Sequence, residues 1–524
     1  MVHRQQRRPA PRPFPPQRGS PWTARLSFIA ILATGCSSES ARPITLAVVT
    51  GLAGTTAPCG CTSRPLGGLD KLATQVAKLD SPAAVVFAGS TFFTHADPPP
   101  GLLEQEQRKA DAIAEIVAKL DPVALLPGPL DHGRHGEHLR GLARRHGLAL
   151  FTRPRSLRTH ARADSSLHTI GGIKVGFVGV AGDPSGEADS YTHAALALRA
   201  QGADIVIALI ASGGAVGPAL ASRIDACDIA IGGGSDHLRA PRVIGGTLYV
   251  DAGDRGRYLG LLRLHPQGGG KKDAWAYDDG GKSQRASLDA RIEQLQEAAA
   301  RLNGKARAVR QKKVTQLTAQ RDAIELIAPK GRYVSWETIT ITDEFPAAPW
   351  ARKTLDSYNQ SLCAITTRAT QEIACAPAAT PQDRYVGTAA CRACHGAAFS
   401  LWEQTKHANA WQTLVEANKT CDLGCIGCHS VGYDRPGGYC HLSDAQEHAN
   451  VGCETCHGPA AGHLANPGDR EAWGTAFTGV TSPETCLSCH NAEHSDAFSY
   501  DTYRRKIVGA GHGWAFVPAP QGSP

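Results

Sequence analysis

The chain has 524 residues, 42% hydrophobic and 20% charged, with a formal net charge of +7. That length accommodates several domains with a large core, and the balance is that of a soluble globular protein rather than a membrane-embedded one. Much of the positive charge lies in the first 25 residues, and no basic stripe is interleaved with aromatics, so nucleic acid is excluded as a partner.

Arg4, Arg7, Arg8, Arg12, Arg18 and Arg25 precede a short apolar run, 26–33, that ends in Ala33-Thr34-Gly35-Cys36. The run is too short to span a bilayer and reads as an export signal over 1–36. Small residues before a cysteine resemble a bacterial lipobox, with Cys36 the lipidated residue, although Ala33 stands where Leu is usual. The expectation is a lipid-anchored, periplasm-facing protein of the bacterial cell envelope. The alternative is an ordinary cleaved signal with an incidental cysteine.

From 44 to 265, short aliphatic runs at 44–49, 83–88, 123–126, 174–180, 205–210, 229–231 and 247–250 alternate with helix-like segments. Segments 69–79, 103–120 and 138–145 carry apolar residues at three- and four-residue spacing, the helical period. This alternation predicts an α/β layered domain. The order of its motifs resembles the metallophosphoesterase-like domain of the 5′-nucleotidase family. Gly232-Gly233-Gly234-Ser235-Asp236 sits where that family has Gly-Gly-His-x-His, and Val250-Asp251-Ala252-Gly253 looks like its closing strand.

The resemblance implies a degenerate site. A bimetal phosphoesterase holds two ions about 3.5–4 Å apart on Asp, Asn and His at strand ends. Here Thr50-Gly51-Leu52 replaces Asp-x-His, Gly89-Ser90 replaces Gly-Asp, and Gly128-Pro129-Leu130-Asp131 replaces Gly-Asn-His-Glu. The later histidine positions fall on Ala211 and Gly234, so only Asp131 and Asp236 remain as ligand types. His132, His135 and His138 match no familiar spacing and read as a solvated loop. Cys59-Gly60-Cys61 in the first loop resembles a nucleotidase-like branch in which this pair replaces the metal ligands. Such thiols form a reducible disulfide, bind a soft metal or attack a sulfur substrate, or are structural. Cys227, at the start of an apolar strand, reads as a buried thiol.

Gly-rich sequence marks a flexible linker over 266–286. Leu288, Ile292, Leu295 and Ala299, then Val309, Val314 and Leu317, predict a helical hairpin over 287–328. A strand and a helix form a bridge over 329–380, where Cys363 and Cys375 are expected to pair.

The segment 381–514 carries the densest chemistry. It contains Cys391-Arg-Ala-Cys394-His395, Cys425-Ile-Gly-Cys428-His429, Cys453-Glu-Thr-Cys456-His457 and Cys486-Leu-Ser-Cys489-His490. Each is C-x-x-C-H, in which two thiols add to haem vinyl groups and the adjacent histidine ligates iron. Four copies predict four c-type haems. After Met1 no methionine remains to ligate iron, so distal ligands must be histidines.

Tyr385-Val386-Gly387, Trp402 to His407, Gly458-Pro459 with His463, and Gly511-His512-Gly513 give this segment the order of the tetrahaem cytochrome c-554 and c-prime family, which it resembles closely. The resemblance implies a mainly α, haem-packed multihaem cytochrome c domain, with His407, His463 and His512 as distal ligands. His494 or His448 completes a fourth pair, or one iron stays five-coordinate. Cys421 and Cys440 are a second possible disulfide, unless Cys421 is free. Residues 515–524 are a tail. The reading is electron transfer between redox partner proteins of the envelope, more than enzymatic turnover. Two alternatives stay open: an oxidoreductase acting on a small nitrogen or sulfur compound at an open haem or at Cys59 and Cys61, and a metal-dependent phosphoesterase.

Overall fold

The computed structural model describes residues 43–58, 65–151, 164–180, 188–224, 226–236, 238–266, 275–277, 280–300, 304–326, 331–371, 375–478, 481–491, 495, 498–509 and 512. The export signal with Cys36, the Cys59 and Cys61 pair, His494 and the tail lie outside them.

The strands are β1 (Ile44–Thr50), β2 (Ala83–Gly89), β3 (Pro122–Pro127), β4 (Ser165–Ile170), β5 (Ile173–Val180), β6 (Ile205–Ile210), β7 (Ile229–Ile231), β8 (Arg242–Ile244), β9 (Thr247–Val250), β10 (Tyr258–His265), β11 (Ala276–Tyr277) and β12 (Tyr333–Thr340). They form two six-stranded sheets, ordered β11-β12-β10-β1-β2-β3 and β4-β5-β6-β7-β9-β8. The first helices are α1 (Leu69–Ala77), α2 (Pro100–Lys119), α3 (Pro129–His132), α4 (Gly136–His146), α5 (Ala188–Ala200), α6 (Val216–Ala221), α7 (Lys282–Ala300), α8 (Gly304–Asp322) and α9 (Pro349–Gln371).

Strand periodicity explains the layers. Successive side chains point to opposite faces. On β1, Ile44, Leu46 and Val48 enter a core between the sheets, shared with Val175, Phe177, Ile205 and Ile207. Ala47 and Val49 face the other way, against Leu69 and Leu72 of α1 and Ile113 of α2. On β6, Val206, Ala208 and Ile210 pack outward on Tyr191 and Leu198 of α5. Strands buried on both faces read as continuous apolar runs, which is why they were visible in the sequence. The result is a helix–sheet–sheet–helix stack, the layered α/β architecture expected.

Two expectations change. The segment beginning at 329 is built into the α/β layers: β12 runs antiparallel to β10 along its whole length, and α9 packs on α2 and α1. A lone strand needs a sheet partner, and β10 offers the open edge. The hairpin forms as α7 and α8 around Ile292, Val314 and Leu317, but Val309 is 70% exposed. Five residues separate it from Val314, a step that turns it off the seam.

The C-terminal helices are α10 (Gly396–Glu403), α11 (Ala410–Glu416), α12 (Leu423–His429), α13 (Ala445–His448), α14 (Cys453–His457), α15 (Ala461–Ala465), α16 (Pro483–Leu487) and α17 (Tyr500–Ile507). Helices this short do not hold alone. Disulfides, buried carboxylates and contacts with α2 and α9 fix them. The disulfide partners differ from expectation: Cys363 bonds Cys421, and Cys375 bonds Cys440. Cys363 lies inside α9, which continues to Gln371 and carries the chain axially away from it, so Cys363 and Cys375 cannot meet. Each instead ties α9 or its exit to the C-terminal module. No described helix is long and apolar enough to cross a membrane.

Candidate haem centre

Each C-x-x-C-H motif sits on a tight helical turn that brings both thiols and the histidine to one side. His395 donates its amide to Cys391 O at 2.9 Å, and His490 donates to Cys486 O at 2.8 Å. The second motif occupies α12, whose Asp422 caps the Gly424 amide at 3.1 Å. The third occupies α14, where Glu454, 3% exposed, accepts from the amides of Val386, Gly387 and Ala460 at 3.0, 2.8 and 2.9 Å.

Two of the histidines that follow the cysteines have one ring nitrogen anchored. His429 donates from Nδ1 to Ala410 O at 2.6 Å, and His457 from Nδ1 to Thr478 O at 2.9 Å. With Nδ1 as donor, Nε2 keeps the lone pair that a metal needs. His490 stacks on Phe498, with centroids 4.6 Å apart.

Opposite them stand the other histidines. The His395 and His463 rings have centroids 6.0 Å apart, and His407 and His490 6.1 Å apart. Two imidazoles ligating one metal, each nitrogen about 2 Å from it, need a spacing of roughly this size. His463 is clamped between Phe477, stacked at 5.0 Å, and Trp473, edge-on at 4.6 Å. Burial lowers the basicity of His407, with His490 adding to it; burial, then His395 and His457, lower that of His463. His512 is lowered by burial, then by His457 and His395, and the three residues line one cavity. The Nδ1 atoms of His463 and His512, and both ring nitrogens of His448, are buried without a hydrogen-bond partner. Buried imidazole nitrogens without a hydrogen-bond partner are the donor set that iron requires, so the residues present fit haem.

The first, third and fourth motifs converge. Cys391, His395, Cys453, Cys456 and His457 line one cavity, and burial pushes the Cys456 thiol up to about 11, with Cys486 and Cys489 adding to it. The second motif is held by the α/β domain. Gln105 Nε2 of α2 donates to Asp422 Oδ1 at 2.7 Å, and the Leu423 amide donates to Gln105 Oε1 at 3.0 Å. Sequence reasoning missed Gln105, Asp422 and Glu454. The first two are 317 residues apart, and no periodicity links them.

The strand ends of the α/β domain hold no open metal cradle among the described residues. The Asp131 carboxylate is spent on the amides of Thr91, Phe92, Phe93 and Gly128, at 2.8–3.2 Å. The loops close backbone against backbone: a Cβ on Gly89 would lie 2.0 Å from Gly233 O, and one on Gly234 would lie 2.8 Å from Gly51 Cα. His135 is not on a solvated loop as expected. It is fully buried, stacked on Phe93 at 3.8 Å, with Nε2 2.9 Å from His95 O. Cys227 is a buried thiol, as expected.

Motif, local fold and histidine placement define the C-terminal part as a c-type cytochrome domain with several haem motifs, joined to a layered α/β domain. Residues 390–458 match the family described as cytochrome c554 and c-prime. Cytochrome c-554 of Nitrosomonas europaea is 31% identical over 137 aligned residues, covering 20% of this chain and 57% of the relative. The chain thus spans little more than half the length of that curated relative. Among solved structures, a 5′-nucleotidase precursor of Thermus thermophilus is similar at 17% identity and TM-score 0.41, over 68% of each chain. A sulfate thiohydrolase of Thermus thermophilus aligns at 15% identity and TM-score 0.39 over 60% of each chain.

Proposed function

We propose that this protein is a lipid-anchored, periplasm-facing cytochrome that passes electrons between envelope redox partners through four covalently attached haems. The reading rests above all on the two histidine pairs, His395 with His463 and His407 with His490, whose rings stand at 6.0 and 6.1 Å. His457 with His512 is the third pair, and His429 serves the fourth iron, with His448 or His494 opposite it or the position open. Haem supplies one-electron chemistry. The chain supplies the eight thiols of the four motifs, the imidazoles and the packing that positions them. Imidazole on both faces favours low-spin iron, which changes little on reduction and suits electron transfer. The α/β domain serves as a scaffold for the second motif.

The test is a haem count on purified protein with a spectrum of its oxidised state. Four haems per chain, with at least three low-spin irons, are expected. Fewer than four haems, or a mainly high-spin spectrum, would sink the reading. A single high-spin iron that binds nitric oxide or sulfide would favour the oxidoreductase alternative at the fourth position.

A further inference from the structure

The disulfide between Cys375 and Cys440 has a neighbour that electron transfer does not use. His441 Nε2 lies 2.9 Å from Cys375 Sγ, and the two sulfurs and a ring nitrogen all lie within 4.8 Å of one another. The backbone holds its position independently of the bridge. Asp444 Oδ2 accepts from the Cys440 amide at 2.9 Å and the His441 amide at 2.7 Å, and the Asp444 amide donates to His441 O at 2.9 Å. On the other side, the Gly437 amide donates to Ala376 O at 2.8 Å. Cys375 is exposed and the other two half-buried, so a small thiol reaches the bridge.

We propose that Cys375, Cys440 and His441 form a redox-gated site for a zinc-class ion, closed as a disulfide when oxidised and open to metal once a dithiol has reduced it. One thiolate of the dithiol attacks Cys375 Sγ, the Sγ–Sγ bond breaks, and Cys440 leaves as a thiolate that takes a proton from water. The second thiol of the dithiol then displaces Cys375 from the mixed disulfide. The cystine has gained two electrons and two protons, and the dithiol has become a cyclic disulfide. A Zn2+ ion displaces the two thiol protons and is held by two thiolates and His441 Nε2, with a fourth position left for water or a substrate thiolate. Thiolate and imidazole select a borderline-soft ion over magnesium or calcium. The Asp444 carboxylate, close enough to feel His441, adds negative charge behind the site.

The experiment uses the whole haem-loaded protein, oxidised or reduced with dithiothreitol, desalted without air and equilibrated with Zn2+. Elemental analysis after gel filtration should give one zinc per reduced chain and none per oxidised chain. H441A keeps the disulfide and so the fold, and should bind zinc at least about tenfold more weakly when reduced. The double variant C363S/C421S, which removes the other bridge, should keep its zinc. Equal uptake in both redox states, uptake unchanged in H441A, uptake lost in C363S/C421S with an unaltered haem spectrum, or none in the reduced chain would each overturn the proposal.

Discussion

Gln105, 2% exposed on α2, clasps the N-terminus of α12 by donating to Asp422 at 2.7 Å and accepting from Leu423 at 3.0 Å. One buried amide thus serves as both donor and acceptor at the entrance to the second motif. Truncating it removes one of the hydrogen bonds to the Asp422 carboxylate and takes the acceptor from the Leu423 amide. Gln105→Ala should cost about 1–3 kcal/mol, read by thermal unfolding. Gln105→Glu, although isosteric, should also destabilise, because it sets two carboxylates face to face. An unchanged midpoint in both variants would show that the clasp is idle.

The histidine pairs make separable predictions. His463→Ala should convert one iron to high spin and leave the iron served by His407 and His490 unaltered. His407→Ala should do the reverse. Electron paramagnetic resonance on the oxidised variants counts the new signals, and a spectrum identical to the parent in either case would remove that histidine from the ligand set.

Peptide mapping without reduction should recover Cys363 joined to Cys421 and Cys375 joined to Cys440. The first bridge closes 58 residues of sequence separation. Replacing both of its cysteines by serine should lower stability by about 2–4 kcal/mol. Recovery of Cys363 joined to Cys375 would contradict the arrangement.

Asp251 gives a pH signature. Its side chain is 1% exposed, its Oδ2 has no partner, and burial pushes its carboxyl up to about 6 despite the Gly253 amide at 2.8 Å. A folded-state pKa raised above the unfolded value near 4 stabilises the protein at low pH, and that contribution is lost as pH rises through 6. Asp251→Asn carries no such charge. Its stability relative to the parent should grow between pH 4 and 6.5 and reach about 2–3 kcal/mol at pH 7. A flat difference across that range would assign Asp251 an ordinary pKa.

The closed strand ends predict chemistry by omission. Phenyl phosphates or nucleotides with added Mn2+ or Zn2+ should not turn over. Metal-dependent turnover would restore the phosphoesterase reading.

Much of this was legible in the sequence because the signals were local or periodic. C-x-x-C-H fits within one helical turn, and strands such as β6, buried on both faces, show as unbroken apolar runs. What escaped was long-range. Nothing in the residues around Cys363 says that α9 continues past it and turns it toward Cys421. His135 looked solvated in a polar stretch, but only the fold brings Phe93 over its ring. The place of β12 beside β10 depends on an open sheet edge, which sequence does not display.

Gly234 has φ +101°, with Gly51 pressed against the place of its missing Cβ. Ala211, beside it, is likewise buried, within the apolar core between the sheets. A side chain at position 234 would therefore meet main chain rather than open space. These loops meet main chain against main chain, so opening a cavity there would take rebuilt loops rather than exchanged residues. What this half of the molecule offers instead is α2 and α9 as the seat of the second C-x-x-C-H motif.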